Sequence, residues 1–429
     1  MLGQSRTLAP PSANPIIPAA RETLVNKKIY TQLSVMMFLE FFVWGAWFVT
    51  LGTYLNSLKF SGSLVGYTYL MNNIAAIISP FFVGMIADRF FSSQKVMAVL
   101  HLLGGVILFF TADLVTASSL ILGLLFYNVL YMPTIALANA ISFHQMQNPD
   151  AQFPRVRVWG TIGWIVAGLS ISLILSRFVG NPEATAVPIK MAAVASLLLG
   201  LYSFTLPDTP PKNIGKDITA GEILGVKALK LMKNKNFLVF VLASLLICIP
   251  LAFYYNFTNM FLNELGMSNT AAKQSMGQMS EVLFMLLMPW FFVRLGVKKM
   301  LLFGMLSWVL RYALFAHGNL GASVWMLYLG ILLHGICYDF FFVTGMIYVD
   351  KKAGTEIRAQ AQGFISLVTY GIGIGLGSVI SGHIVDYLTA NGVKNWTTIW
   401  WVPAIFALVV AILFTIFFKD DHNAESKTA

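Results

Sequence analysis

Carboxylates, amides and a cation set inside long apolar stretches are the residues of this sequence best able to do chemistry, because polar groups are costly to hold in lipid and mark functional positions. Of 18 acidic residues, only Glu40, Glu281 and Asp339 stand deep in apolar runs. Low dielectric disfavours the charged form of a carboxyl. Such a group can take a proton on one side of a membrane and release it where it meets water on the other. A neutral, hydrogen-bonded interhelical carboxyl is the plainer alternative for each. Helical spacing groups the remaining polar residues. Arg157, Thr161 and Trp164 fall at i, i+4 and i+7, which presents a cation, a hydroxyl and an aromatic plane on one face. Asn256 with Asn259, and Gln278 with Glu281, are i, i+3 pairs that also share faces. His334 and Tyr338 pair at i, i+4, whereas Asp339 is turned about 140° from His334 and points toward another helix. This set suits a flat, uncharged ligand with several donors and acceptors. Core packing is the alternative for Trp164 and Tyr338, and helix-to-helix hydrogen bonding for the amides. Arg311 could partner Asp339 or Glu40, or snorkel to an interface. Glu40, Trp44 and Trp47 share one helix face, which either lines the same cavity or packs. Asn72 and Asn73 are further mid-span amides without an assignment.

Long helices must position these groups. The chain has 429 residues, of which 57% are apolar or aromatic and 11% charged, with a mean hydropathy of +0.74. An ordinary soluble domain is excluded. At about 20 apolar residues per crossing, this content supplies about twelve transmembrane helices. Apolar segments run over about 33–53, 64–86, 96–112, 118–142, 155–176, 188–206, 237–262, 276–293, 299–316, 323–349, 361–385 and 397–418. An even count puts both termini on one side. Of the 28 Lys and Arg, Arg311 lies within a span, five (Lys59, Arg177, Lys190, Lys273 and Lys394) fall in one set of connections, and 22 fall with the termini. That bias makes both ends cytoplasmic. Residues 1–32 hold Pro, Ala and Ser with no apolar secretion-signal core, and read as a cytoplasmic tail, like 419–429. Spans 33–206 and 237–418 form two six-helix bundles, divided by a basic connection at 207–236. Within it, Ile223, Leu224, Val226, Leu229 and Leu231 alternate with lysines, as in an amphipathic helix on an anionic lipid surface or a solvated linker.

The halves resemble each other. Tyr54-Leu-Asn-Ser-Leu58 recurs as Phe261-Leu-Asn-Glu-Leu265, Pro80-Phe-Phe-Val83 near Pro289-Trp-Phe-Phe-Val293, and Arg155 before Gly160 as Arg358 before Gly363, at offsets of 203 to 209 residues. Nearly constant offsets in corresponding spans indicate a repeat of six helices. The net charge of +10 is spread between apolar runs, which argues for topology and against nucleic-acid binding. Two cysteines, Cys248 and Cys337, exclude a disulfide framework, and the six histidines lack metal-ligand spacing. Protease, lipase and nucleotide-binding motifs are absent, so an enzyme, an ATP-driven pump, a cofactor and a metal site are not expected. Membrane lipid, a small solute and protons are the expected partners of a monomeric carrier. Asn395-Trp-Thr397 fits a glycosylation sequon, a triplet common by chance.

Gly84-Met-Ile-Ala-Asp88-Arg89, between the second and third spans, resembles the gating signature of the major facilitator superfamily. There the Gly permits close helix approach and the Asp–Arg pair latches cytoplasmic helix ends. A solvated loop is the alternative. Within that superfamily the chain is similar to the nucleoside:proton symporter family of bacterial inner-membrane permeases over nearly all of 30–418, and particularly to its nucleoside transporter members. The resemblance is carried by Trp44-Gly-Ala-Trp47, Tyr131-Met-Pro-Thr134, Arg157-Val-Trp-Gly-Thr-Ile-Gly163, Thr258-Asn-Met-Phe261, Gln278-Met-Ser-Glu281, Tyr338-Asp-Phe-Phe341 and Ala361-Gln-Gly363. It implies nucleoside contacts at Arg157, Thr161, Trp164, Asn256, Asn259, Gln278, Glu281, His334 and Tyr338, with Glu281 and Asp339 in proton coupling. Better-known permeases of the family carry Phe, Gln, Tyr and Phe at positions 164, 256, 334 and 338, and Gln at 40. The function implied is proton-coupled nucleoside import across the inner membrane by alternating access. A proton symporter for another polar solute such as a sugar, or a transporter-like receptor, is the alternative.

Overall fold

A computed structural model describes residues 26–211 and 226–419. Asn26, Ser61, Asn234 and Asn395 each accept a hydrogen bond from a first-turn backbone N–H of the helix they precede. Asn395 of the sequon is thus occupied as a helix cap. The first half contains α1 (Lys27–Gly45), α2 (Leu51–Ser57), α3 (Gly62–Arg89), α4 (Ser93–Thr111), α5 (Ala117–His144), α6 (Pro149–Leu169) and α7 (Val187–Ser203). The second contains α8 (Lys235–Glu264), α9 (Thr270–His317), α10 (Val324–Leu332), α11 (His334–Tyr338), α12 (Thr344–Ser366), α13 (Ile374–Tyr387) and α14 (Trp396–Phe417). Together α1 and α2 make the first span, and α6 is extended by a π-helical turn at Ser170–Ile174.

Twelve transmembrane helices in two six-helix bundles result, the all-α architecture of the major facilitator fold. Among the described residues, eight helical stretches are each long and apolar enough to cross a membrane. Large apolar side chains such as Leu201, Leu286 and Ile416 face outward, as lipid requires. Two of the expected polar connections, 294–298 and 350–360, are sharp kinks rather than extended loops. Gly296 (φ 67°) and Gly354 (φ 65°) adopt left-handed backbone inside α9 and α12, so the eighth and ninth spans, and the tenth and eleventh, abut at a kink. Glycine takes this conformation without a Cβ clash.

Of the basic connection, Val226–Lys233 forms a 3-10 helix whose Ala228 is buried against the second bundle. Ile223 and Leu224 of the expected amphipathic helix lie outside the described residues, as do 1–25 and 420–429. After α7, Asp208 accepts from Gln94 Nε2 at 2.6 Å and the Thr209 N–H donates to Gln94 Oε1 at 3.0 Å, tying the chain to the start of α4. The Gln94 and Ser92 side chains hold the Asp208 carboxyl below the usual carboxylate range.

The bundles meet at the end opposite the termini. There α3 and α13 cross at backbone contact, so that a Cβ on Gly66 would run into the Ser378 carbonyl and one on Gly62 into that of Gly382. Asp386 of α13 accepts from the first two N–H groups of α3, Gly62 at 2.5 Å and Ser63 at 2.8 Å, completing that helix start from the other bundle. Tyr67 Oη lies 3.0 Å from His383 Nε2. A two-stranded hairpin, β1 (Thr389–Ala390) with β2 (Val393–Lys394), presents Lys394 Nζ to Glu264 at 2.6 Å and to Asn56 at 2.9 Å. Glu183, between α6 and α7, is the hub of this seam. It is only 3% exposed, and accepts from Asn259 Nδ2, Asn263 Nδ2 and the Ala271 N–H at 2.9 Å each and from Ser172 Oγ at 3.2 Å.

At the terminal end the arrangement is looser. Among the described residues no atom comes within 4 Å of a Cβ position at Gly84 or Gly363. The side chains of Asp88 and Arg89 lie outside what is described.

Candidate functional site

A crevice opens between the bundles, lined by Gly45, Val49 and Trp164 on one side and Tyr254, Gln274 and Gln278 on the other. Trp164 stands edge-on to Trp44 at 5.6 Å between ring centroids, and Trp44 edge-on to Tyr131 at 6.2 Å, so α1, α5 and α6 build one aromatic wall. Aromatic edges and faces packed in this way hold a plane fixed for a flat ligand. One helical turn from Trp164 is the half-buried Thr161, and beyond it Arg157, whose guanidinium lies 4.0 Å over the Phe41 ring. Arg157 interacts electrostatically with Glu281, Tyr338 and Tyr370 of the facing bundle. The residue is thus coupled to the other bundle, although hydropathy alone would put it near the end of its span.

In the opposite wall, the eighth and tenth spans cross tightly, since a Cβ on Gly335 would come within 2.6 Å of the Ser280 carbonyl group. That crossing sets Glu281 near His334 and Asp339. Glu281 is 17% exposed, and its Oε2 lies 3.8 Å from His334 Nε2, close enough to attract a charged imidazole and too far for a hydrogen bond. His334 stacks on Tyr254 at 5.2 Å, and its Nδ1 has no partner among the described residues. Tyr338 Oη lies 2.5 Å from Tyr370 Oη. Asp339 begins a π-helical turn (Asp339–Val343), is 0% exposed, and has no hydrogen-bond partner on either oxygen among the described residues. An ionised carboxylate in that setting costs several kcal/mol, so the neutral, proton-bearing form fits this conformation.

Of the expected site residues, Trp164 and Gln278 line the crevice, while Arg157 is linked electrostatically to Glu281 and Tyr338 of the other bundle. Asn256 and Asn259 sit at the seam instead. Asn256 Nδ2 reaches Ser381 Oγ at 3.4 Å while its Oδ1 has no partner among the described residues, and its backbone carbonyl packs on Gly52. Asn259 is saturated by protein: Nδ2 donates to Glu183 at 2.9 Å and to Gln274 at 2.7 Å, and Oδ1 accepts from Thr53 and Asn263. It has no hydrogen bond left for a ligand here. Arg311 pairs with neither Asp339 nor Glu40. Its Nε donates to the Gly330 carbonyl at 3.0 Å and its guanidinium covers the Tyr254 ring at 4.2 Å, which fixes the ring that His334 stacks on. Glu40 and Trp47 are buried inside their bundle, and Trp44 packs behind Trp164.

Spacing reasoning passed over Tyr254, Tyr255, Gln274 and Tyr370. Gln274 is one turn before Gln278, and Tyr255 one turn before Asn259, so helical periodicity could have found both. Glu183 carries no such signal because it sits on a three-residue 3-10 turn, Pro182–Ala184, too short to show a period.

A family model described as nucleoside H+ symporter matches residues 27–423 of this chain. Over 407 residues the chain is 45% identical to YegT of Escherichia coli (strain K12), covering 92% of this chain and 95% of that one. It is 35% identical over 413 residues to the xanthosine permease of the same organism, covering 92% and 97%. The crystal structure of the nucleoside transporter NupG superposes with a TM-score of 0.83 at 34% identity, covering 91% of this chain and 99% of that one.

Proposed function

The chain belongs to the nucleoside H+ symporter family, and from that premise we propose that it imports nucleosides with protons across a bacterial inner membrane, as a monomer with both termini in the cytoplasm. It is a multi-pass transporter, not an enzyme. One observation supports the reading: the crevice sets the Trp164 plane of one bundle against Gln274, Gln278 and Tyr254 of the other, and Arg157 and Glu281 interact across the bundles. Trp164 suits the face of a nucleobase, Gln278 and Tyr338 its polar edge or the ribose hydroxyls, and Thr161 and Arg157 the remaining acceptors. His334 stacks on Tyr254, which lines the crevice, and its Nδ1, without a partner among the described residues, is available to a ligand that reaches it.

With the termini cytoplasmic, the seam is the outer gate. The conformation described is then closed outside and open toward the cytoplasm, the state that releases cargo. The bundles 33–206 and 237–418 rock about the crevice to expose it to each side in turn. Coupling requires that proton and ligand bias the same equilibrium. Asp339 and Glu281 lie beside the ligand space and supply that link. A proton on either one removes a charge that the closed crevice cannot solvate, which favours passage of the loaded carrier. Asn256 and Asn259 contribute to the ligand shell only when the seam rearranges.

The test is uptake of labelled uridine and adenosine into proteoliposomes under an inward proton gradient, with and without a protonophore, and with unlabelled sugars as competitors. Uphill uptake that collapses with the gradient and resists sugars is expected. Uptake indifferent to the gradient, or displaced by sugars, overturns the assignment.

A further inference from the structure

Behind the aromatic wall, within the first bundle, lies a polar cluster with no part in the site above. Glu40 of α1 and His101 of α4 are 0% and 1% exposed. His101 Nε2 lies 2.9 Å from Glu40 Oε2, and Nδ1 lies 3.0 Å from Ser196 Oγ of α7. Glu40 Oε1 lies 2.7 Å from Thr134 Oγ1 of α5, and the Tyr131 hydroxyl donates to the Glu40 carbonyl at 2.7 Å.

Each flanking hydroxyl has two acceptors in reach. Ser196 can donate to His101 Nδ1 at 3.0 Å or to the His101 carbonyl at 3.0 Å. Thr134 can donate to Glu40 Oε1 at 2.7 Å or to the Tyr131 carbonyl at 2.6 Å. With Ser196 donating to Nδ1, the imidazole is neutral, Nε2–H donates to an ionised Glu40, and the pair carries one negative charge. When Ser196 turns to the carbonyl, Nδ1 takes a proton and donates it to the freed Ser196 lone pair. The pair is then neutral, one proton richer, with its donors still matched and no heavy atom displaced. Thr134 gives Glu40 the same freedom, since turning it toward Tyr131 leaves a lone pair for a protonated Oε1.

We propose that Glu40 and His101 form a second proton-binding site of the transport cycle, held in the first bundle, which takes up and returns one proton as the Ser196 and Thr134 hydroxyls turn. The groups facing it are Tyr131 and Tyr127 from α5, with Arg157 of α6 acting on Tyr131, and the Ser196 hydroxyl from α7. Tyr131 also packs on Trp44, and Trp44 on Trp164. The charge of the pair therefore acts on the helix whose aromatic ring lines the crevice. A proton held there is carried by a different bundle from one held on Glu281 or Asp339.

This inference rests on the proton-coupled reading, and its test separates the two. Glu40→Gln keeps the size of the side chain and can still accept from Thr134. Potentiometric titration of purified protein between about pH 5 and 8, where imidazole ordinarily titrates, is expected to show about one proton fewer bound in Glu40→Gln than in wild type. Ser196→Ala, which removes the acceptor for Nδ1–H, is expected to lower that uptake without touching either titrating residue. In proteoliposomes at a gradient of one pH unit, Glu40→Gln is expected to retain counterflow while its limiting accumulation falls about tenfold, the factor for one proton fewer per solute. Equal proton binding in wild type and both variants overturns the proposal, as does an unchanged limiting accumulation in a variant that binds one proton fewer. Wild-type uptake that ignores the gradient overturns symport instead, whatever the titration shows.

Discussion

Glu183→Gln is expected to unlock the seam from a position outside the crevice lining. In the closed seam one oxygen of Glu183 accepts from Asn259 and Asn263, and the other from the Ala271 N–H and Ser172. Glutamine has the same size and keeps one acceptor, but its amide nitrogen must face either two N–H2 groups or an N–H and a hydroxyl donor. Two hydrogen bonds to a charged acceptor are lost, each worth ~1.5–3 kcal/mol. With the seam open, water solvates either side chain, so the loss falls on the closed state alone. Allowing for local rearrangement of the amides, ~2–4 kcal/mol is removed from closure, a shift of about 30- to 900-fold in the closed-to-open ratio at 1.36 kcal/mol per decade. Spin labels on cysteines placed at the exposed Lys59 and Asn391 straddle the seam, while Cys248 and Cys337 are buried and leave the background quiet. Double electron–electron resonance should show a longer distance gaining population at the expense of the wild-type distance. An unchanged distribution would mean that Glu183 does not hold the gate, and that the reasoning from its four donors is wrong.

Gly66→Leu places a side chain against the Ser378 carbonyl. Overpacking of this kind costs ~1–3 kcal/mol, and the same spin-label pair should report opening; a wild-type distribution would show that the two backbones can part without loss. Asp339→Asn and Glu281→Gln should retain nucleoside counterflow while losing accumulation above the equilibrium ratio under a proton gradient, and full accumulation in both variants would remove these carboxyls from coupling. Trp164→Ala should weaken nucleoside binding by ~1–3 kcal/mol, roughly 5- to 150-fold in Kd, the range for stacking a base on an aromatic ring. Trp164→Phe should recover most of it, and calorimetry that finds Kd unchanged in Trp164→Ala would return this ring to simple packing.

Span number was legible because lipid demands length and apolarity, both of which can be counted along the chain. Where spans abut was legible too, since Gly296 and Gly354, which turn the backbone through a left-handed residue, lie within the polar breaks at 294–298 and 350–360. The faces of the polar residues were legible from the helical period, their partners less so. Asn256 and Asn259 do share a side of α8, but that side is met at the seam by Glu183 from a three-residue 3-10 turn, too short to show a period. Arg311 illustrates a second limit. A buried cation suggested a carboxylate partner, and the fold supplies a backbone carbonyl and a tyrosine face instead. His101 stood as one of several histidines without metal-ligand spacing, yet it completes Glu40 because α1 and α4 pack inside one bundle, a contact set by tertiary structure.

The seam and the crevice share an amide. Asn259 Nδ2 divides its two hydrogens between Glu183 at the seam and Gln274 in the crevice wall, and Thr53 from the facing bundle closes on Asn259 Oδ1. Gln274 lines the crevice with Gln278, one turn away on the same face of α9. A ligand that draws the Gln274 carbonyl oxygen into its own hydrogen bonding leaves an Asn259 hydrogen without an acceptor, at the point where Asn259 anchors Glu183. A buried donor left unpaired costs ~1–3 kcal/mol, comparable to the coupling energies that link distant sites in other proteins. No long relay between ligand and outer gate is then required. One asparagine on α8 serves both, so a ligand in the crevice and closure of the seam compete for, or share, the same hydrogen bonds.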